Sequence, residues 1–267
     1  MKYPVLINVI KKYVKMRNSA YLVAVVLLLS TMKLSGQDTM YIYKSGVVVN
    51  KKAVTQIDSV IFYRSDPAPV NTVNDIDGNV YHTVTIGTQT WMVGNLKTTK
   101  YSDGTVIPNI KDATTWSNLT TPGVCTYNNT SNTDSINTYG RLYNWYAVNT
   151  NKLCPTDWHV PSDIEWTNLT TYLGGTGVAG RALKEVGTTH WIAPNAGSNI
   201  TGFTALPAGF RRPNGTCIYI GYDGYWWSST ESDTQYAWDR FIVNDLNLVE
   251  IGDEGKSFGF SVRCIKN

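Results

Sequence analysis

The sequence lacks the clusters of reactive residues that most catalytic and metal sites require. Its four cysteines include no C-x-x-C pair and lie beside no pair of histidines, so a zinc site is not expected. The three histidines, His82, His159 and His190, have no Ser, Cys or carboxylate at a spacing typical of catalytic motifs, and we predict structural or surface roles for them. No catalytic residue is predicted, and the protein is not expected to be an enzyme.

The sequence also has no stripe of Lys and Arg. The chain holds 23 basic and 20 acidic residues, but six of the basic ones precede residue 38, in a stretch without any acid. The remainder is mildly acidic, with 17 basic against 20 acidic residues. Nucleic acid is therefore not expected as a partner.

The apolar run from Ala20 to Leu29 is shorter than the roughly 20 residues that a membrane-spanning helix needs. It follows a basic stretch and precedes small and polar residues, which is typical of a secretory signal. We predict that residues 1–37 are a signal peptide and that the protein is secreted or displayed at the cell surface. An uncleaved membrane anchor is the alternative, and only then would the membrane be a partner.

All four cysteines follow the predicted signal peptide, and an even count in an oxidising compartment favours disulfides. Four cysteines allow three pairings. We predict a bond between Cys154 and Cys264, which would close a loop of 110 residues, and a second bond between Cys125 and Cys217.

One helix is clearly indicated in the sequence. Ser162 and Glu165 have the spacing of a capping box, in which each side chain accepts the backbone N–H of the other residue. Trp166, Leu169 and Leu173 follow at helical spacing, and a Gly-Gly pair comes next. The pattern predicts a helix from about residue 163 to about residue 173.

The segments around this helix predict a small unit followed by a larger domain. Residues 38–63 are a β-rich segment with strands at residues 40–43 and 59–63, and residues 64–73, with two prolines, are a linker. Residues 74–267 form the main domain. Its Asp-x-Asp-Gly-Asn string, residues 75–79, is interpreted as a turn rather than a calcium loop, because the other loop ligands are missing.

Within the main domain the patterns predict an α+β fold with two short helices and several antiparallel strands. The second helix covers residues 179–186, with Leu183 and Val186 facing inward. A buried helix is preferred for residues 142–148, although periodicity cannot separate it from a strand. Residues 95–135 are predicted to be mostly loop. The β and loop segments are residues 80–86, 89–92, 202–211, 224–230, 237–243, 247–251 and 258–265.

Aromatic residues interrupted by glycine predict a binding surface. Tyr219, Tyr222, Asp223 and Tyr225 lie close together in the sequence, where rigid rings and a carboxylate can meet a ligand. The tyrosines are assigned to the loop face of the domain and Trp227 to its core.

Acidic residues near the C-terminus suggest a second kind of site. Asp245, Asp253 and Glu254 are candidate calcium ligands, and no other cofactor is expected. Together with Asp239 they would also suit glycosidase chemistry, but we interpret these four carboxylates as unpaired surface acids.

Four motifs resemble the Fibrobacter succinogenes major paralogous domain family. They are residues 139–148 (YGRLYNWYAV), residues 154–166, residues 206–211 (LPAGFR) with 227–230 (WSST), and residues 259–264 (GFSVRC). The match covers about residues 74–266. Asp157 stands where the family usually has glycine, and Cys217 is not a position associated with it.

Residues 159–166 (HVPSDIEW) and the closing residues 259–264 are also distantly similar to the formylglycine-generating-enzyme group, and this resemblance implies a C-type-lectin-like fold. It also implies that copper-dependent oxidation is lost, because Cys264 has no closely spaced cysteine partner. The expected function is a non-enzymatic binding domain that recognises a glycan or a surface protein through the loops of a lectin-like fold. The alternatives are a structural or adhesive component of a surface assembly, and a degenerate relative of those enzymes that retains some activity.

Overall fold

The computed structural model describes the backbone of residues 39–44 and 47–53 and, with side chains, residues 71–267. The chain divides into two units between Pro67 and Ala68. In the first unit, β1 (Thr39–Lys44) pairs antiparallel with β2 (Val47–Ala53). The predicted signal peptide, the predicted strand at residues 59–63 and most of the predicted linker lie outside the described residues.

The second unit contains two five-stranded sheets. The first sheet has the order β3-β4-β5-β14-β8, the second has the order β10-β9-β11-β12-β13, and β6 pairs with β7. Of these pairings only β9 with β11 is parallel. The strands are β3 (Thr72–Asn74), β4 (Val80–Ile86), β5 (Gln89–Met92), β6 (Val124–Cys125), β7 (Leu142–Tyr143), β8 (Trp158–His159), β9 (Ala208–Arg211), β10 (Cys217–Ile220), β11 (Asp223–Glu231), β12 (Tyr236–Val243), β13 (Glu250–Gly255) and β14 (Ile265–Lys266).

Short helices connect these strands, so the domain is α+β as predicted. They are α1 (Ala113–Ser117), α2 (Thr133–Tyr139), α3 (Trp145–Val148), α4 (Asp163–Tyr172) and α5 (Thr176–Leu183). The described residues contain more helices than the two predicted, because α1 and the first three residues of α2 lie in the stretch interpreted as loop. Among the described residues, no helix has the length and apolar character to cross a membrane.

Helix α4 begins as the sequence predicts. The Ser162 Oγ accepts the backbone N–H of Glu165, and the Glu165 carboxylate accepts the backbone N–H of Ser162 at 2.8 Å, which confirms the capping box. The other carboxylate oxygen of Glu165 lies 2.8 Å from Nε2 of His159, so this histidine has a structural role. After α4, Gly174 and Gly175 adopt φ values of 98° and 101°, which favour glycine.

Helix α5 lies about three residues earlier than predicted, and the inward position of Val186 is wrong. Leu183 is fully buried, whereas Val186 follows the helix and is 59% exposed. The helix ends because Lys184 is extended, with ψ of 142°. Its ammonium group donates to the backbone carbonyls of Val243, Asn244 and Leu246, and these bonds hold the chain in that turn.

Residues 142–148 combine the two alternatives that periodicity left open. Leu142 and Tyr143 form β7, and Asn144 then caps α3 by accepting the backbone N–H of Ala147 at 3.1 Å. All of this stretch except Tyr146 is buried. The aromatic residues of this segment therefore belong to two elements, with Tyr143 in the strand and Trp145 and Tyr146 in the helix.

The segment from Gly259 to Ile265 joins the two sheets and is buried throughout. Phe260 forms a bridge with Tyr143, Ser261 forms one with Trp226 of β11, and Ile265 pairs with Trp91 of β5. Two apolar clusters form around it, one containing Phe260 and Trp227 and the other containing Trp91, Trp166 and Trp226. Residues 259–265, which we call the closing segment, thus contact the second sheet, which carries the candidate functional site.

Candidate functional site

Four aromatic rings cross one face of the second sheet, and we call them the aromatic row. The ring of Tyr219 lies 5.9 Å from that of Phe210, which lies 4.6 Å from Tyr225, all measured between centroids. Tyr225 in turn stacks on Phe241 at 4.8 Å with an angle of 12° between the rings. Phe210 is buried, Tyr225 and Phe241 are half-buried, and Tyr219 is 49% exposed. The row is therefore exposed at Tyr219, buried at Phe210 and half-buried at its other end.

The backbone of Tyr219 adopts φ of 67°, the left-handed region that a bulky aromatic residue rarely occupies. Such a conformation persists only where the surrounding structure holds it, and it is concentrated at functional sites. Here it places an exposed ring at the end of the aromatic row.

Strand alternation brings three carboxyl groups to the same face. Asp223 lies two residues from Tyr225 on β11, and Asp239 lies two residues from Phe241 on β12. Asp239 is opposite both Trp227 and Gly252, and Glu254 lies two residues beyond Gly252 on β13. We call Asp223, Asp239 and Glu254 the carboxyl group set.

Burial and mutual repulsion favour the neutral forms of these acids. Burial, together with nearby Asp245, raises the pKa of Asp223 to about 6. Burial also raises the pKa of Glu254, with a further contribution from Asp253. The pKa of Asp239 is well above its usual range because the side chain is buried and lies near Glu254, although Arg240 opposes this shift. The face therefore carries less negative charge than its composition indicates.

Asp239 is the most unusual member of the set. Its side chain is fully buried, and neither carboxyl oxygen has a hydrogen-bond partner among the described residues. A Cβ on Gly252 would lie 2.7 Å from Oδ2 of Asp239, so glycine is needed there to leave room for the carboxyl. The sequence interpretation of Asp239 as a surface acid is wrong, because alternation along β12 turns it to the same buried face as Ala237.

We expect Asp239→Asn to stabilise the domain by about 1–3 kcal/mol at pH 8. The folded-state pKa of Asp239 is raised, so the folded protein retains a proton that the unfolded chain releases, and stability falls as pH rises from about 4 through the folded pKa. Urea unfolding at pH 4, 6 and 8 measures this, and the gain should shrink towards pH 4. Asp253→Asn, at an exposed position on the other face of β13, is the control. An Asp239→Asn variant that is less stable than the wild type at pH 8 would contradict the expectation.

A family model for the Fibrobacter succinogenes major domain matches residues 84–266, which is more than half of the chain. The chain belongs to this family. No curated protein and no solved structure matches it significantly.

The structure explains why particular residues occur in the motifs of this Fibrobacter succinogenes major domain. In the YGR motif, Gly140 has φ of 79°, and a Cβ there would lie 2.7 Å from Cβ of Asn95, so only glycine fits. Asp157, where the family usually has glycine, has φ of 66°, which explains the usual residue. In the LPAGFR motif, Arg211 donates to the backbone carbonyls of Ile110 and Lys111, so it is structural.

The structure separates the predicted ligand-binding residues into two groups. Tyr219 and Tyr222 are exposed, at 49% and 46%, and the N–H of Tyr222 donates to the carbonyl of Tyr219 in the turn before β11. Tyr225 is instead a strand residue packed against the core, which corrects its assignment to a loop face. Asp223 is half-buried beside it. Phe210 and Phe241 were not predicted as site residues. Their segments were predicted to be β or loop, but the sequence does not indicate which strands are neighbours in the sheet.

The predicted calcium ligands do not form one site. Asp253 and Glu254 are adjacent on β13 and therefore point to opposite faces, and Asp245 lies within electrostatic range of Asp223 instead. Residues 71–267 contain no cluster of three or more His, Cys, Asp or Glu side chains that could hold a metal. The turn interpretation of Asp75 is confirmed, since its carboxylate accepts the backbone N–H groups of Asp77 and Asn79.

The disulfide prediction is confirmed for one pair and wrong for the other. Cys154 and Cys264 are bonded, with their Cα atoms 6.0 Å apart. Cys125 and Cys217 are free thiols, although both contact the small apolar cluster around Trp116. Burial raises the pKa of the Cys125 thiol to about 12, so this thiol is unreactive at neutral pH.

Proposed function

We propose that the protein is an exported, non-enzymatic binding protein and that its larger domain recognises a neutral glycan at the aromatic row. The row carries this proposal, because it ends in an exposed tyrosine held in a strained backbone conformation. Residues 1–37 serve as the export signal in this proposal, which places the domain outside the cell or on its surface.

The chemistry of the face suits a sugar. The exposed ring of Tyr219 offers apolar contact for the C–H groups of a sugar ring, and the half-buried Phe241 can extend that contact, as in other pockets lined by aromatic side chains. Tyr225 stacks on both Phe241 and Phe260 and supports the row from within. Asp223 and Glu254 both lie within electrostatic range of the Tyr225 side chain and can exchange hydrogen bonds with sugar hydroxyls. Burial raises the pKa of Asp223 to about 6 and also raises the pKa of Glu254, so the protonated form of each acid, which can donate as well as accept, persists to higher pH than in a free carboxyl. An acidic glycan would still be disfavoured, because no basic residue belongs to the row.

The α+β fold supports a lectin-like assignment for the domain. The last strand, β14, lies in the same sheet as β3, β4 and β5, so the two ends of the domain meet in one sheet. Long connections lead into and out of the second sheet. The disulfide joins the loop before α4 to the closing segment. We propose that binding does not require calcium, because Asp253 and Glu254, two of the three predicted calcium ligands, point to opposite faces of β13.

An array of neutral and acidic glycans, probed with the oxidised protein and followed by titration of the best ligand, tests the proposal. Saturable binding of neutral glycans is expected, with equal affinity in calcium and in chelator. Tyr219→Ala should raise the Kd about tenfold, since an exposed aromatic anchor of an interface is worth more than 1 kcal/mol. Asp223→Asn should have a smaller effect.

Tyr236→Ala is the matched control. Tyr236 is similarly exposed, at 41%, but it starts β12 on the face opposite to the aromatic row. Its replacement should leave the Kd within about twofold. The proposal fails if no glycan binds saturably, or if Tyr236→Ala weakens binding as much as Tyr219→Ala does.

A further inference from the structure

A cavity of about 340 Å³ lies on another part of the domain and shares no residue with the aromatic row. This volume is at the small end of the range for ligand cavities, so it suits a ligand the size of one sugar. Its wall includes His82 of β4, Lys97, Thr138 of α2 and His190. These side chains bring hydrogen-bonding groups from separate parts of the chain to one concave surface.

A buried positive charge lies directly behind this wall. The Arg263 guanidinium is fully buried, and its Nη2 donates to Oδ1 of Asn95 at 3.0 Å and to the carbonyl of Thr204 at 3.3 Å. Asn95 and Thr204 are both among the residues that line the cavity. Burial lowers the pKa of Arg263 to about 9, so the group is still charged at neutral pH.

No carboxylate among the described residues neutralises Arg263. Its acceptors are two backbone carbonyls and one amide, and its Nε has no hydrogen-bond partner within residues 71–267. A buried charge without a counter-charge is costly, and an anion placed nearby offsets that cost.

One cation lines the cavity without a carboxylate partner among the described residues. Lys97 lines the wall, and its ammonium group lies 5.2 Å from the ring centroid of Tyr81 rather than in an ion pair. Two acids make their hydrogen bonds to side chains that line the wall. Glu185 accepts a hydrogen bond from Nδ1 of His190 at 2.9 Å, and Asp75 accepts the hydroxyl of Tyr81 at 2.6 Å.

We propose that this cavity binds a small carboxylate-bearing ligand, such as a sugar acid. Lys97 contacts the carboxylate, Arg263 stabilises it through the wall, and Thr138, Asn137 and His190 meet the hydroxyls. A carboxylate fits better than a phosphate, because Lys97 is the one Lys or Arg among the residues that line the cavity, and a single cation balances the single charge of a carboxylate.

Isothermal titration of the full chain with glucuronate, glucose and inorganic phosphate tests this assignment. We expect saturable binding of glucuronate at one site, with glucose and phosphate at least tenfold weaker. Lys97→Met keeps the apolar stem over Tyr81 but removes the charge, and it should weaken glucuronate binding about tenfold or more. Lys111→Met, at an exposed position that does not line the cavity, should leave it unchanged.

A second variant tests the cavity itself. Gly94 lines it, and a Cβ there would meet only Tyr81, at 3.8 Å, so Gly94→Leu adds volume without a backbone clash. It should abolish glucuronate binding while the thermal unfolding midpoint stays close to that of the wild type. Tyr219→Ala should not affect this binding, which separates the cavity from the proposed glycan site. Equal binding of glucose and glucuronate, tighter binding of phosphate, or full affinity in Lys97→Met would each overturn the proposal.

Discussion

The double variant Cys154→Ser/Cys264→Ser is expected to lose about 3–5 kcal/mol of its free energy of unfolding. The bond between these cysteines closes a loop with a sequence separation of 110 residues, which restricts the unfolded chain strongly. In the folded state it joins the loop that enters α4 to the closing segment, and both sulfur atoms belong to buried residues. Urea unfolding of the oxidised wild type and of the variant measures the loss.

Cys217→Ser is the matched control, because Cys217 is a free and only half-buried thiol. Its unfolding midpoint should remain close to that of the wild type, whereas reduced wild-type protein should behave like the double variant. If removing both bonded cysteines shifts the free energy of unfolding by less than about 1 kcal/mol, the bond does not stabilise the domain in the way proposed here.

The parts of the fold that could be predicted from sequence depend on local chemistry. Ser162 and Glu165 form the capping box at the start of α4, and both lie within four residues of sequence. The two glycines after the helix adopt the backbone conformation that ends it. The resemblance to the family added the closing GFSVRC motif, whose position could not come from periodicity. Both predictions rested on neighbours in sequence or on whole motifs, and neither needed the positions of other elements.

The helices α1 and α2 were missed because their stabilising contacts are distant. Asp112 and Asn132 cap them locally, but neither helix shows an apolar period long enough to stand out from polar loop sequence. Helix α1 is held by Trp116, whose ring lies 4.4 Å from the guanidinium carbon of Arg211 on β9. That contact joins residues almost a hundred positions apart.

The candidate site was predicted only in part for the same reason. Tyr219 and Asp223 were identified because they stand close together in the sequence, but a row of rings requires the order of strands. Phe241 stacks on Tyr225 only because β12 lies beside β11 in the register observed. The burial of Asp239 likewise depends on a glycine in the facing strand.

Buried arginines connect loops and strands in this domain. Arg211, Arg240 and Arg263 are each nearly or fully buried, and all three donate to backbone carbonyls. Arg240 also forms an ion pair with Asp163 at 2.6 Å, which fixes the first turn of α4 to β12. Short helices and long connections leave many carbonyl groups without secondary-structure partners, and the planar guanidinium satisfies several at once.

Asn95→Ala is expected to lower the free energy of unfolding by about 3–5 kcal/mol. The side chain of Asn95 is buried, and its Oδ1 accepts from Nε1 of Trp226 at 2.8 Å and from Nη2 of Arg263 at 3.0 Å. Its Nδ2 donates to the carbonyl of Tyr139 at 2.9 Å and to Oγ of Ser261 at 3.2 Å. Truncation leaves a buried cation and a buried indole N–H short of an acceptor, and that cost exceeds the value of the lost bonds.

Urea unfolding of Asn95→Ala beside Asn137→Ala measures this effect. Asn137 is exposed on α2, near the same cavity wall, so its replacement should change the free energy of unfolding by less than about 0.5 kcal/mol. A loss below about 1 kcal/mol in Asn95→Ala would mean that water replaces the amide around Arg263. The guanidinium would then be screened, and its contribution to carboxylate binding would be weaker than proposed.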